Sequence, residues 1–101
     1  MGMEPKVVRN DEQGRYELWA DEELAGIAEY RTQGERIVFT HTEVGEAFGG
    51  RGFGRVIAAG ALDDAVERGL TIVPECPFIA AYLKKHPEYA EHVHWPPEAR
   101  Q

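Results

Sequence analysis

The stretch RIVFTHTEVGEAFGGRGFGRVIAAGALDDAVERGLTIV, residues 36–73, changes its periodicity twice. Its first nine residues, RIVFTHTEV, are rich in β-branched and aromatic side chains and read as the strongest strand in the chain. A glycine-rich loop follows. From Gly54 to Arg68, apolar or small residues recur at Ile57, Ala58, Ala61, Leu62 and Ala65. That spacing is one face of a helix, with Asp63, Asp64, Glu67 and Arg68 mostly on the other. Gly69 stands where a C-terminal glycine cap belongs, and LTIV (70–73) is a short apolar strand. Strand, helix, strand in this order implies a right-handed crossover and parallel pairing.

Upstream, the pattern is of short strands and tight turns. Residues 6–10, 15–20, 24–31 and 36–44 read as four antiparallel strands, with polar turns at 11–14, 21–22 and 32–35. In RYELWA (15–20), Tyr16 and Leu18 point one way and Glu17 and Trp19 the other. The glycine and alanines of LAGIAEYR (24–31) leave room for something bulky to pack there. Downstream, Pro74 and Pro77 bracket Cys76, FIAAYLKK (78–85) makes a short helix, and His86-Pro87 ends it. The expected fold class is α+β (α/β). A four-strand antiparallel meander is followed by a helix crossover to a parallel strand and a short helix, in one mixed sheet. One domain is expected over residues 1–101, with 1–5 and 96–101 frayed.

Composition narrows the function classes. Hydrophobic residues make up 43% and charged residues 29% of the 101, a globular balance. With a single cysteine, Cys76, the chain forms no internal disulfide and no cysteine-based zinc site. The start, MGMEPKVV, carries no signal-peptide pattern, and no apolar run approaches membrane-helix length, so a cytoplasmic protein with no membrane partner is expected. The net charge of −7 argues against nucleic acid and mildly favours cationic partners such as amines.

The loop before the helix raises an electrostatic conflict. A helix N-terminus has unpaired N–H groups and a partial positive charge. Here Arg51 and Arg55 add more, and no Ser, Thr, Asp or Asn stands at the cap. A phosphate held by the glycine-turn amides resolves the conflict. A solvated, flexible turn is the alternative. Two familiar phosphate loops do not fit: no Lys-Ser/Thr follows the glycines, and the glycines follow a meander rather than the first strand of a parallel sheet.

These residues resemble the GNAT superfamily of acyl-CoA-dependent N-acetyltransferases, in which [Gln/Arg]-x-x-Gly-x-[Gly/Ala] follows the fourth strand. Gly52 and Gly54 match that motif; Gly49 departs from it, standing where Gln or Arg is usual. A small, single-domain branch of about 100 residues is more similar still. It shares His41-Thr42-Glu43-Val44, the loop, Cys76-Pro77-Phe78 and His86-Pro87-Glu88-Tyr89 in that order. The resemblance implies the GNAT fold and an N-acetyltransferase with acetyl-CoA (coenzyme A) as co-substrate. It implies that Gly49, Gly50, Arg51, Gly52, Phe53, Gly54 and Arg55 hold the coenzyme phosphates. It also implies that pantetheine lies along Thr42 to Val44, with a backbone N–H near Val44 polarising the thioester.

Acetyl transfer also needs a base for the amine and a proton for the departing thiolate. His41 and Glu43 share one face of their strand, and either suits deprotonation. Each also has a structural reading, as a hydrogen-bonded strand residue or a solvated carboxylate. For Cys76 three readings stand: a small buried residue, a lining or proton donor of the coenzyme thiol pocket beside Pro77, or an acetyl-carrying nucleophile. Tyr82 is placed by the resemblance as the acid for the thiolate, with core packing as the alternative. Lys85 ends the same helix and either complements its dipole or reaches a coenzyme phosphate. His86, His92 and His94 lie without a regular element to fix their geometry, and no metal is expected.

Only a turn fits between the first two strands, where larger acetyltransferases of the superfamily have helices that wall the acceptor. The acceptor side is therefore expected to be open. It suits a protein or peptide amine, or a small-molecule amine if a second copy in a homodimer completes the cleft. Three functions follow: an N-acetyltransferase, a coenzyme A-binding module without turnover, or an interaction protein whose loop holds nothing.

Overall fold

The computed structural model describes residues 5–46 and 52–96. The elements are β1 (Pro5–Asn10), β2 (Arg15–Ala20), β3 (Glu23–Gln33), β4 (Arg36–Val44), α1 (Phe53–Glu67), β5 (Thr71–Pro74) and α2 (Pro77–Lys85). A 3-10 helix over Pro87–His92 follows. The strands form one sheet in the order β1-β2-β3-β4-β5, antiparallel up to β4 and parallel between β4 and β5. This is the mixed meander-and-crossover sheet expected from the sequence. Val93 adds a parallel bridge to Ile72 on the far side of β5.

The largest difference from the sequence reading is β3. It extends to Gln33, and the turn shrinks to Gly34-Glu35, because β4 pairs Thr32 with Ile37 and Gln33 with Arg36. Local composition marks Thr32 and Gln33 as turn-prone; cross-strand hydrogen bonds override that preference. The end of α1 follows the glycine rule. Gly69 has φ 74°, its N–H donates to the Val66 carbonyl, and the Leu70 N–H donates to the Ala65 carbonyl.

Both helices lie on one face of the sheet. Ile57, Ala58, Ala61, Leu62 and Ala65 of α1 and Ile79 and Leu83 of α2 join Tyr16, Leu18, Ala28, Ile37, Phe39 and Ile72 in a single apolar cluster. Polar groups fasten α1 to this face at its C-terminal end. The Tyr16 hydroxyl donates to Asp64 (2.7 Å) and accepts from Arg9 (3.1 Å), and Tyr30 donates to Asp11 (2.6 Å). Burial and the Asp11 hydrogen bond push the Tyr30 phenol up to about 12, so it keeps its proton and donates it to Asp11.

The other face carries no helix among the described residues. Alternation along the register puts Arg15, Glu29 and His41 in one cross-strand row and Glu17, Ile27 and Glu43 in the next. Glu17 is buried there, accepting from Asn10 (2.9 Å), Arg15 (2.9 Å) and Trp19 (3.1 Å). Burial pushes the Glu17 carboxyl up, and the three donors outweigh it, leaving the group below its ordinary value.

Candidate active site

The site follows from where β5 stops. Its pairing with β4 covers only Arg36 to Phe39, ending at Phe39 opposite Pro74. Pro74 has no N–H to continue a ladder. The chain then turns away: the N–H groups of Glu75 and Cys76 both donate to the Phe39 carbonyl (3.0 and 2.9 Å), and α2 starts at Pro77. β4 continues five residues further, through Thr40 to Val44, held only by β3 among the described residues. The Gly45 N–H donates to Ala25 of β3 (2.8 Å). Antiparallel alternation therefore turns the backbones of Glu43 and His41 toward β3 and those of Val44 and Thr42 toward the released edge. A strand edge with outward N–H and C=O groups thus faces the start of α2.

The sheet brings Cys76 and Thr42 together across this opening. Cys76 is the N-cap residue of α2, 3% exposed, and its thiol donates to the Thr42 hydroxyl at 3.3 Å. His41 and Glu43 lie on the opposite, open face, 3.5 Å apart and both exposed. The sequence-derived pairing of those two is thus one face of β4, and the thiol is on the other. Tyr82 is half-buried on α2, stacked on His86 with ring centroids 4.0 Å apart. Burial, then the charges of Asp63 and Glu88, raise its phenol above the ordinary value, with Arg55 opposing. Lys85 closes α2 at the end away from Cys76 and is exposed.

The helix α1 begins from Gly52, whose φ of 74° favours glycine, and no side-chain cap is present. The Arg55 guanidinium lies beside Gly52, with Nη2 3.4 Å from where a Cβ would stand there. A cation therefore lies beside a helix start that has no side-chain cap. Phe53 is buried and Gly54 half-buried behind it. Gly49, Gly50 and Arg51 of the proposed phosphate loop lie outside the described residues. Among the described residues, no group of three or more His, Cys, Asp or Glu converges as a metal site.

On the open face, beside the released end of β4, runs a shallow groove of about 310 Å³. Arg15, Leu24, Gly26, Ile27, Glu43, Val44 and Glu46 are among its lining residues. Sequence reasoning named Glu43 and Val44 and missed the rest, since they converge only through the β3–β4 register. Gly26 has a positional cause: a Cβ there would come 2.9 Å from the Glu43 carbonyl oxygen, so glycine lets β3 and β4 close at the groove floor.

This geometry — a parallel pair that parts beside a glycine-rich helix start — coincides with a family match. The model of the GCN5-related N-acetyl-transferase family matches residues 15–93, from β2 to the end of the 3-10 helix. The chain belongs to the GCN5-related N-acetyltransferases. A GCN5-like protein from Staphylococcus aureus, whose solution structure was solved by NMR, superposes with a TM-score of 0.68. The match covers 95% of this chain and 94% of that one at 21% identity, a likeness of fold. Protein NATD1 of Gallus gallus is 42% identical over 67 residues, 63% of this chain and 61% of that protein. Protein NATD1 of Homo sapiens is 42% identical over 59 residues, 57% of this chain and 52% of that one. The chain thus spans between half and two thirds of the length of these relatives. In this GCN5-related chain, β2 through the 3-10 helix carry the matched fold, and the parted strands lie within it.

Proposed function

We propose that this chain transfers the acetyl group of acetyl-CoA to an amine. The observation that carries the reading is the parting of β4 from β5, with outward backbone at Thr42 and Val44 facing Cys76. In this reading the loop from Gly49 to Arg55 holds the coenzyme phosphates, as its glycines and arginines suit. Thr42 and Val44 pair with the pantetheine amides, and the Val44 N–H points at the thioester oxygen. Cys76 and Pro77 line the thiol end. His41 or Glu43 takes the amine proton from the open face, and the phenol of Tyr82, which keeps its proton to high pH, supplies one to the thiolate. Lys85, exposed at the end of α2, complements the helix dipole and in this reading is the further cation for a coenzyme phosphate.

The acceptor enters, on this reading, along the groove that Glu43 and Glu46 make acidic, which suits an amine that arrives charged. Only Asp11–Gly14 links β1 to β2, so nothing there walls the groove. An amine borne on a protein or peptide fits such a face, as does a small amine enclosed by a second copy of the chain. The reaction is placed in the cytoplasm, with neither nucleic acid nor membrane as partner. The acceptor side, which no helix covers among the described residues, also favours a second reading, a module that holds coenzyme A without turnover.

Calorimetry with acetyl-CoA, then thiol release with a panel of amines, separates these. Binding with amine-dependent release supports the transferase. Binding without release leaves the module, and absent binding removes both.

A further inference from the structure

The acceptor groove has a cation among its acids, and that cation reaches it from a neighbouring row of the sheet. Arg15 lines the groove, yet its cross-strand partners Glu29 and His41 do not. The row that lines it is the next one, at Ile27 and Glu43. Arg15 reaches that row because Glu17, which pairs with Ile27, draws its side chain along β2: the Arg15 Nε donates to the Glu17 carboxylate at 2.9 Å. Glu17 is buried and accepts from Asn10 and Trp19 as well, so the anchor is itself held in place. The Arg15 side chain is 26% exposed, a placed group rather than a free surface arginine. The grip uses Nε alone. Nη1 and Nη2 make no hydrogen bond among the described residues. Leu24, one of the two large apolar side chains left exposed among the described residues, adds an apolar wall to the same groove.

An amine needs only the acids, Glu43 and Glu46. The guanidinium edge of Arg15 is planar, with N–H groups side by side, and matches a carboxylate. The sheet sets the spacing. Arg15 and Glu43 stand on β2 and β4, two strand spacings apart with β3 between, which is roughly 10 Å. The amine and carboxylate of an α-amino acid share one carbon and do not span that gap. A chain of several methylenes does, and it lies over Ile27 and Leu24. We propose that the acceptor is a small amine with a carboxylate at the other end of an aliphatic chain, an ω-amino carboxylate, and that Arg15 selects it by binding that carboxylate. The inference rests on the transferase reading above and names its substrate class. The carboxylate takes no part in the transfer. The ammonium sheds one proton to water and a second to His41 or Glu43, its nitrogen bonds the acetyl carbon, the carbon–sulfur bond breaks, and the thiolate takes a proton from Tyr82.

Thiol release from acetyl-CoA by the full chain tests this with matched acceptors: ω-amino carboxylates from β-alanine to 6-aminohexanoate, each against the plain alkylamine with the same number of carbons. At the best length the carboxylate is expected to raise kcat/KM about tenfold over its plain amine. That preference runs against the net charge of −7, which disfavours anions in general. Arg15→Gln is the discriminating variant. Glutamine Nε2 stands at the same point of the side chain as arginine Nε, so a donor to Glu17 is kept while the Nη edge is removed. It is expected to raise KM for the carboxylates about tenfold, with kcat held and the plain amines unchanged. Equal turnover of each pair at every length, or a preference that survives Arg15→Gln, overturns the assignment. So does an Arg15→Gln chain that loses both members of each pair alike, which would make Arg15 a support of the groove rather than a contact. Release with neither series but with other amines overturns the substrate class alone. Release with no amine at all overturns the transferase reading, and this inference with it.

Discussion

The two halves of β4 differ although they belong to one strand. Arg36 to Phe39 is clasped between β3 and β5, and Ile37, Val38 and Phe39 are buried. Thr40 to Val44 is held by β3 alone; Thr40, His41 and Glu43 are exposed, and Thr42 and Val44 half-buried. The first half is structure and the second is candidate site. The change falls where Pro74 ends β5, and β4 marks it too: Thr40 is the extra residue where the register with β3 shifts, and buried Ile-Val-Phe gives way to Thr-His-Thr-Glu. The lesson is that a site can be made by shortening a neighbour at the level where the strand that lines it turns polar.

The contrast is broken most directly through stability. Phe39→Ala removes a fully buried ring and is expected to cost about 3–5 kcal/mol in urea unfolding. His41→Ala and Glu43→Ala, two and four residues on, are expected to stay within about 0.5 kcal/mol. Equal losses in both halves would end the distinction. Gly26→Ala comes next. Its Cβ meets backbone at 2.9 Å, so β3 and β4 must part at the groove, at about 1–3 kcal/mol in the same assay. A neutral outcome would mean that the register at Val44 has slack.

Acid titration sharpens the comparison between buried and exposed carboxylates. The Glu17, Asp11 and Asp64 carboxyls sit below their ordinary values in the folded chain. Such groups contribute stability that is present above the unfolded values of 4.5 for Glu and 3.8 for Asp. That stability is lost as pH falls through the lower folded values. Urea midpoints are therefore expected to drop below about pH 4.5, and Glu17→Gln to shallow that drop. An unchanged acid slope in Glu17→Gln would show that its three hydrogen bonds do not favour the charged form. The smallest effect is at the opening. Thr42→Val removes the acceptor of the Cys76 thiol and is expected to cost no more than about 1 kcal/mol. The S–H stretching band is expected to move to higher frequency, and a stationary band would mean the thiol was never bonded there.

Much of the fold was legible because its signals are local. The β-branched run at 36–44, the helical spacing from Ile57 to Ala65 and the cap at Gly69 each depend on neighbours within a few residues. The same is true of the uncapped glycine turn at the start of α1. The acceptor groove was not legible, because Leu24 and Gly26 of β3 lie far along the chain from Glu46 and meet it only through strand register. Phe78 stood in the Cys-Pro-Phe stretch, yet nothing in the sequence says that its ring fills the space at Gly54. The sequence pattern turns Glu17 away from Tyr16 and Leu18 but does not show that it is buried there among three donors from two strands.

By itself, then, the sequence determined the order of the elements, the period change at the glycine-rich loop and the family resemblance, since chain-local sterics and hydrophobic spacing dictate them. Only the tertiary structure decided that Cys76 and Thr42 share the helix-covered face while His41 and Glu43 occupy the open one. It also decided that β4 outruns its neighbour. The physical reason is that faces and edges belong to a sheet, and a sheet is assembled from residues that the chain keeps apart.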